Sequence, residues 1–278
     1  WLSVAHGIEE RAAARGQTIR FFEAGGYRAL AQQIDQLAAC DALDPDAILI
    51  GAVSSDAPEL LAAVGAAAAR RPVIGLVNAL HSDALAARVG VDWSDMGLTL
   101  GRHLAARFPA ASAPRNAILL SGPAEAGWVA PLEAGLRTGL AGSAISISAT
   151  FGADTGTAEQ LRLLERALKR HPAPDIIIGD APAIEAAMAL VAGTRDPPLL
   201  AATYVSHSVA RGLVGGQIAA APFVDPIQQG SLAVDAAVEA GRAPASQDLI
   251  GPPIRLLWSG INAGEVELSP ADYFPELD

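Results

Sequence analysis

The chain alternates between two hydrophobic patterns. In one set of segments apolar residues recur with the spacing of a helix face, and in the other they form continuous runs of strand length. Residues 1–15 illustrate the first pattern, because Leu2, Ala5 and Ile8 share one helix face and Gly16 follows as a typical C-terminal residue. The runs DAILIGAV and PVIGLVN illustrate the second and predict buried strands.

Predicted strands and helices follow one another along the whole chain. The strands are predicted at 18–23, 46–53, 72–78, 88–91, 116–122, 144–149, 175–180, 198–203 and 217–225. The helices are predicted at 1–15, 28–40, 57–69, 94–107, 127–140, 155–170, 182–192, 206–214 and 227–240. Strands that alternate with helices of this length form right-handed βαβ units, so the pattern predicts an α/β protein with parallel sheets.

The number of strands predicts two lobes, because it exceeds what one doubly wound sheet holds comfortably. The proline-rich segment FPAASAPRN lies where one βα series gives way to the next. We expect an N-terminal lobe of residues 1–109 plus 226–255 and a C-terminal lobe of residues 110–225 plus 256–278. A helix opens the sequence with no strand before it, so we also expect a first strand to be missing from this chain.

Composition excludes several classes of function. The net charge of −11 argues against a nucleic-acid partner, which would require a basic surface. Cys40 is the only cysteine, so the chain can form no internal disulfide and a cysteine-based zinc site is implausible. Every apolar run is interrupted before the roughly 18 residues that a membrane-spanning helix needs, so no direct membrane insertion is expected.

The candidate site residues lie where predicted strands end. Ligands of open parallel sheets bind at the carboxyl edge of the strands, which is where these residues are expected to meet. Five of the seven tryptophans and tyrosines fall at this edge. The candidate ligand-binding residues are Trp1, Tyr27, Asn78, Trp93, Trp128, Asp180, Tyr204 and Asp225.

The aromatic side chains suit two kinds of ligand. Methylated ammonium groups are attracted to several ring faces at once, and sugars stack their C–H faces on rings. Sugars also need many polar groups, and no arginine falls at the expected pocket positions, so the pattern favours a small ligand bearing methyl groups. Any one of the rings could instead pack in a core, and we expect Trp258, inside the run IRLLW, to do so.

Several sequence blocks resemble one known family. The blocks EAGGY, DAILIGAVS, VDWSDMG, SGPAEAGW, HPAPDIIIGDAPAIEAA, ATYVSHSVARGLVGGQIAAAP and LSPADYFPEL are spread over nearly the whole chain. They are similar to those of the TorT-like periplasmic binding proteins. This family lies in the type I periplasmic binding protein superfamily, together with ribose-binding protein and the core of LacI-type repressors.

The resemblance implies a fold, a location and a function. It implies two Rossmann-like lobes joined by three crossovers, a periplasmic location, and trimethylamine N-oxide or a related methylamine as the ligand. It also implies a partner, the periplasmic domain of a TorS-like sensor histidine kinase. The family's aromatic ligand-binding positions correspond to Trp1, Tyr27, Trp93 and Tyr204. The family pattern has an aromatic residue where this chain has Ser94, so the ligand's identity stays open.

Three other classes of function make different demands on the sequence. A sugar-binding component of an ABC importer would have the same fold, with Asp92, Asp180 and Asp225 available for hydroxyl groups. An enzyme is not expected, because the sequence has no nucleophile elbow, phosphate loop or zinc-protease motif and its histidines lack metal-ligand spacing. No cofactor or metal is expected either. A LacI-like regulator would need a DNA-binding head, which this sequence does not show.

Overall fold

A computed structural model describes residues 1–240 and 246–277 as two layered α/β units. The strands are β1 Ile48–Ile50, β2 Val73–Val77, β3 Ala87–Gly90, β4 Arg115–Ser121, β5 Ile145–Gly152, β6 Ile176–Gly179, β7 Leu199–Ala202, β8 Ala220–Phe223, β9 Leu249–Ile250 and β10 Arg255–Trp258. The helices are α1 Leu2–Arg15, α2 Leu30–Ala42, α3 Pro58–Ala68, α4 Trp93–Arg107, α5 Val129–Leu140, α6 Thr157–Arg170, α7 Ala181–Val191, α8 His207–Val214 and α9 Pro226–Ala240.

The strands form two sheets, as predicted. The first has the order β1-β2-β3-β9 and the second the order β10-β8-β7-β6-β4-β5. All pairings are parallel except that between β10 and β8. The chain changes sheet three times, between β3 and β4, between β8 and β9, and between β9 and β10. The predicted α/β class with two parallel-sheet lobes is confirmed.

Each sheet is covered on both faces by helices. In the first sheet α2 and α3 pack on one face, and α1 and α9 pack on the other. In the second sheet α6, α7 and α8 cover one face, and α4 and α5 cover the other. Burial on both faces explains why central strands such as β2 and β6 read as continuous apolar runs, whereas the edge strand β5 alternates.

Helices α4 and α5 are packed through glycine. Gly97 and Gly101 on α4 face Gly135 and Gly139 on α5, and a Cβ atom at any of the four positions would overlap the other helix's backbone. The absence of side chains lets the two backbones touch, as in other close helix pairs built on small residues four apart. The N-terminal ends of α4 and α5 therefore lie side by side.

Three sequence expectations about the fold can be compared with this packing. Residues 18–23 form no strand ladder, and only Phe21 makes an isolated bridge, to Leu277 in the tail. Trp258 is 57% exposed, because β10 is an edge strand, so its predicted core position is wrong. The lobe boundaries stay a prediction. Helix α4, which that prediction assigns to the first lobe, packs against the second sheet.

Candidate ligand-binding site

Four aromatic side chains from four separate segments meet in one cluster. Trp93 begins α4, Trp128 directly precedes α5, Tyr204 follows β7, and Tyr27 precedes α2. The ring centroids of Trp93 and Trp128 are 5.5 Å apart, and Tyr204 makes edge contacts with Trp93 at 6.5 Å and with Trp128 at 6.2 Å. We call these four residues the ring cluster.

The hydroxyl group of Tyr27 joins the ring cluster to the first sheet. It accepts a hydrogen bond from Trp128 Nε1 at 2.8 Å and one from Asn78 Nδ2 at 3.2 Å. Asn78 follows β2 and also donates from Nδ2 to the carbonyl oxygen of Ala52, at 2.9 Å. Burial raises the pKa of Tyr27, so its hydroxyl is neutral near pH 7. This network ties groups of both sheets to one atom.

Asn78 and Trp93 are held by a strained turn at the end of β2. Val77 has a φ angle of 61°, and the N–H of Asn78 bonds the carbonyl of Leu76 at 2.7 Å, which closes a γ-turn. A positive φ angle is costly for a β-branched residue and persists where surrounding contacts enforce it. The Val77 carbonyl also accepts from Trp93 Nε1, at 3.3 Å. The turn therefore contacts two members of the candidate site through its backbone.

Loops from the two sheets approach closely on either side of the ring cluster. A Cβ atom on Gly127, before α5, would lie 2.6 Å from Cβ of Ser55, which follows β1. A Cβ atom on Gly26 would lie 3.3 Å from the carboxylate of Asp154, which follows β5. Glycine permits both approaches because it has no side chain. The arrangement corresponds to a closed cleft between the carboxyl edges of two sheets.

Asp180 is buried at the end of β6, with a relative exposure of 1%. Its Oδ1 atom accepts from the backbone N–H of Ala183 at 2.9 Å and so caps α7. Its Oδ2 atom has no hydrogen-bond partner among the described residues. Burial raises the pKa of Asp180 to about 7, and the bond from Ala183 opposes that rise only in part.

This raised pKa predicts a pH-dependent stability. The pKa of Asp180 in the folded state exceeds its unfolded value of 3.8. The contribution of Asp180 to the free energy of unfolding is therefore fully present below about pH 4 and is lost as pH rises through about 7. Asp180→Asn keeps a capping side chain and cannot ionise. At pH 8 we expect the free energy of unfolding of the variant to exceed that of wild type by on the order of 3 kcal/mol. This difference should shrink toward pH 5. Urea unfolding at both pH values measures it, and an equal difference at both would contradict the assignment.

Two predicted site residues lie apart from the ring cluster. Trp1 is 62% exposed and lies on Gly51 at the end of β1, with no ring contact to the cluster among the described residues. Asp225 caps α9, since its Oδ1 atom accepts from the N–H of Gln228 at 2.9 Å. A role in ligand binding stays a prediction for all eight candidate residues, including those that the structure brings together.

Sequence reasoning overlooked two glutamines that position the site. Gln33 on α2 donates to the carbonyl of Gly51 at 2.9 Å and accepts from the N–H of Val53 at 3.0 Å, which fixes the end of β1. Gln160 on α6 is fully buried and donates to the carbonyls of Ser121 and Ala153. The sequence signal for both residues is a glutamine on the apolar face of a predicted helix. Such a glutamine indicates a buried amide, which requires hydrogen-bond partners.

The described residues hold neither a cluster suited to a metal ion nor a membrane-spanning helix. They contain no group of three or more histidine, cysteine, aspartate or glutamate side chains placed to hold a metal ion. None of their helices has the length and apolar character needed to cross a bilayer.

Two α/β lobes that face each other across a cleft at the carboxyl edges of their strands are the architecture of a solute-binding protein. Residues 1–243 match the model of the periplasmic binding protein domain. The chain therefore belongs to the periplasmic binding protein family, a family of binding proteins, and is placed in the periplasm.

Within this family the chain is similar to the periplasmic protein TorT. It is 36% identical to TorT of Escherichia coli K12 and of E. coli O157:H7 over 257 residues, which cover 92% of this chain and 73% of each relative. The predicted resemblance to TorT-like proteins is thereby confirmed.

Solved structures show the same relationship. TorT in the crystal structure of the TorS sensor domain–TorT complex in the presence of TMAO matches with a TM-score of 0.87 and 34% identity, covering all of this chain and 95% of that one. An ABC transporter solute-binding protein from Bradyrhizobium with bound bis-Tris matches with a TM-score of 0.82 and 34% identity, over all of this chain and 85% of that one. A D-arabinose complex from Agrobacterium radiobacter, at 18% identity and a TM-score of 0.83, shows the shared fold alone.

Proposed function

We propose that this protein binds trimethylamine N-oxide, or a related methylamine, between its lobes and presents the loaded form to a TorS-like sensor domain. The observation that carries the proposal is the ring cluster, in which Tyr27, Trp93, Trp128 and Tyr204 converge from separate segments. The solved TorT complex with TMAO supports it through 34% identity over the whole chain. The role is binding without chemistry, so no cofactor is required.

The chemistry of the ring cluster fits a methylated head group. In an N-oxide or an ammonium ion the methyl groups carry partial positive charge, which the negative faces of aromatic rings attract. The ring pairs here are tilted or edge-to-face rather than stacked, so they present faces in different directions. Such an arrangement suits a compact, nearly spherical ligand more than a flat one.

Signalling would follow from closure of the cleft. Tyr27 belongs to a segment that packs with the first sheet, and Trp128 directly precedes a helix that packs on the second, yet they share a hydrogen bond of 2.8 Å. A ligand that contacts both lobes stabilises the closed form by its differential affinity for that form. A sensor domain that recognises the closed form would then report ligand occupancy.

Calorimetry tests the ligand directly. We expect trimethylamine N-oxide to bind the purified protein with measurable heat and to raise its melting temperature, as any ligand specific for the folded state does. Glycine betaine, trimethylamine and D-ribose are the comparison ligands. Absence of heat and of a melting shift with every methylamine would refute the methylamine assignment.

A sugar-binding component of an ABC importer is the second candidate. The observation that favours it is the ABC transporter solute-binding protein from Bradyrhizobium, which is as similar in sequence as the TorT structure. That protein was solved with bis-Tris, an amine that carries hydroxyl groups. Sugars in the same calorimetric series separate the two candidates. A melting shift with a sugar, and none with methylamines, would favour the importer.

A further inference from the structure

Three buried polar side chains form a row directly beside the ring cluster. Ser121 is the last residue of β4, and Asp180 and Thr203 directly follow β6 and β7; the three strands are adjacent in the second sheet. Leu120 pairs with Gly179, and Gly179 pairs with Ala202. The residues one position further along, Ser121, Asp180 and Thr203, therefore lie side by side. Backbone bonds from Asp180 N to Leu120 O and from Thr203 N to Gly179 O continue this register. We call the three residues the polar row.

Strand alternation fixes the face on which the polar row lies. Side chains two positions apart on a strand share a face, so the row follows Leu119, Ile178 and Ala201. Those three residues pack against α4 and α5 in one core cluster. The N-terminal ends of the same two helices carry Trp93 and Trp128, so the polar row lies between that core and the ring cluster.

Each residue of the polar row is at most 3% exposed and has an unpartnered polar atom. These atoms are Ser121 Oγ, Asp180 Oδ2 and Thr203 Oγ1, which have no hydrogen-bond partner among residues 1–240 and 246–277. An unpartnered buried polar group costs about 1–3 kcal/mol, so three together, beside a candidate site, indicate that something else satisfies them.

Three nitrogen donors around the ring cluster are already engaged. Trp93 Nε1 donates to the Val77 carbonyl, Trp128 Nε1 donates to the Tyr27 hydroxyl, and Asn78 Nδ2 donates to Ala52 and Tyr27. The groups left for the oxygen of an N-oxide are therefore those of the polar row and the hydroxyl of Tyr204, whose oxygen accepts from the backbone of Ala181. That oxygen only accepts hydrogen bonds, so an ionised carboxylate would repel it, whereas a carboxylic acid can donate to it.

We propose that Asp180 acts in its protonated form, donating from Oδ2 to the N-oxide oxygen alongside the hydroxyl groups of Ser121 and Thr203. The inference rests on the proposed function. The bond from Ala183 to Oδ1 leaves Oδ2 as the atom that carries the proton. A buried aspartate kept neutral so that it can donate is a known device for stabilising an oxyanion. Ligand binding in this protein is therefore linked to the uptake of one proton near neutral pH.

The groups that surround Asp180 leave its titration simple. The charge of ionised Asp180 acts on two tyrosines, Tyr204 from the loop after β7 and Tyr27 from the opposite lobe. The pKa of each tyrosine is raised, chiefly by burial. Asp154, from the loop after β5, acts on Tyr27 as well. Trp93 and Trp128 of α4 and α5 carry no charge, and α7 has no acidic residue in its first turn. Both tyrosines stay neutral between pH 6 and 8.

The test measures the affinity for trimethylamine N-oxide at about pH 6 and about pH 8 by calorimetry. If only the acid form binds, a pKa of about 7 in the free protein predicts an affinity about tenfold weaker at pH 8. Asp180→Asn, whose amide can donate from the same position, should show no such dependence and bind about tenfold more tightly than wild type at pH 8. Trimethylammonium, which has an N–H donor in place of the oxygen, should show the opposite dependence in wild type.

The outcomes separate this inference from the proposed function. Equal wild-type affinities for the N-oxide at both pH values, or a tighter complex at pH 8, would overturn the role of protonated Asp180 and leave methylamine binding intact. No binding at either pH would overturn the proposed function and this inference with it. Carbon-13 NMR titration of the Asp180 carboxyl in the wild-type protein is the second readout. Its pKa should rise when the N-oxide binds, and an unchanged or lowered pKa would refute the proposal even if the variant failed to fold.

Discussion

Tyr27→Ala is expected to weaken the binding of trimethylamine N-oxide by about 100-fold. The substitution removes one ring of the ring cluster, which contributes about 2 kcal/mol when desolvated, and a hydroxyl group whose bonds contribute about 1 kcal/mol. Tyr27→Phe removes the hydroxyl alone, so we expect a loss of about fivefold. Calorimetric titration of both variants separates the ring's contribution from that of the hydrogen bonds between the lobes.

Trp258→Ala is the matched control for this pair. It removes another large aromatic side chain, but one that is 57% exposed on the edge strand of the second sheet. Ligand affinity should be unchanged in this variant. If Tyr27→Ala also bound the ligand with wild-type affinity, the ring cluster would not be the ligand site.

Gly135→Ala is expected to lower the free energy of unfolding by about 3 kcal/mol, which corresponds to a fall of roughly 6–10 °C in melting temperature. The added methyl group would overlap the backbone carbonyl of Ser94, so α4 and α5 would have to separate. Those helices carry Trp93 and Trp128 at their N-terminal ends, where the ring centroids are 5.5 Å apart. Ligand affinity should therefore fall together with stability. Thermal unfolding and calorimetry measure the two effects.

Gly65→Ala makes the same change where space is open. Gly65 lies within α3, and a Cβ atom there would have no neighbour within 4 Å apart from the backbone of the helix itself. Alanine favours the helix over glycine by about 1 kcal/mol, so this variant should be slightly stabilised and bind ligand normally. Similar small effects in both variants would show that the contact between α4 and α5 can relax without cost.

The pattern of apolar residues was sufficient to predict most elements, because it follows from burial. The runs at β2, β4 and β6 are buried on both faces, and this alone makes them continuous and apolar. Their order then predicts parallel sheets through the handedness of βαβ connections. The segment 18–23 has the same local composition as a strand but makes only one bridge, because strand formation also requires a neighbouring strand to pair with.

The candidate site was predicted only in part. Carboxyl ends of parallel strands share an edge, so the sequence could place Tyr27, Asn78, Trp128 and Tyr204 at that edge without stating which atoms meet. It could not show that Tyr27 bonds Trp128, since the two lie 101 residues apart. Ser121 and Thr203 gave no sign of a role, because hydroxyl side chains at strand ends are common and usually partnered.

The sequence by itself determined the α/β class, the two sheets, the order of the elements and the segments that reach the cleft, since each depends on local burial and chain direction. Only the tertiary structure decided that four rings converge, that α4 packs on the second sheet, and that three polar atoms beside the rings have no partner among the described residues. These features depend on distances between segments far apart in the chain. Such distances are set by the close packing of helices on glycine and by strand register, neither of which is visible in a local pattern.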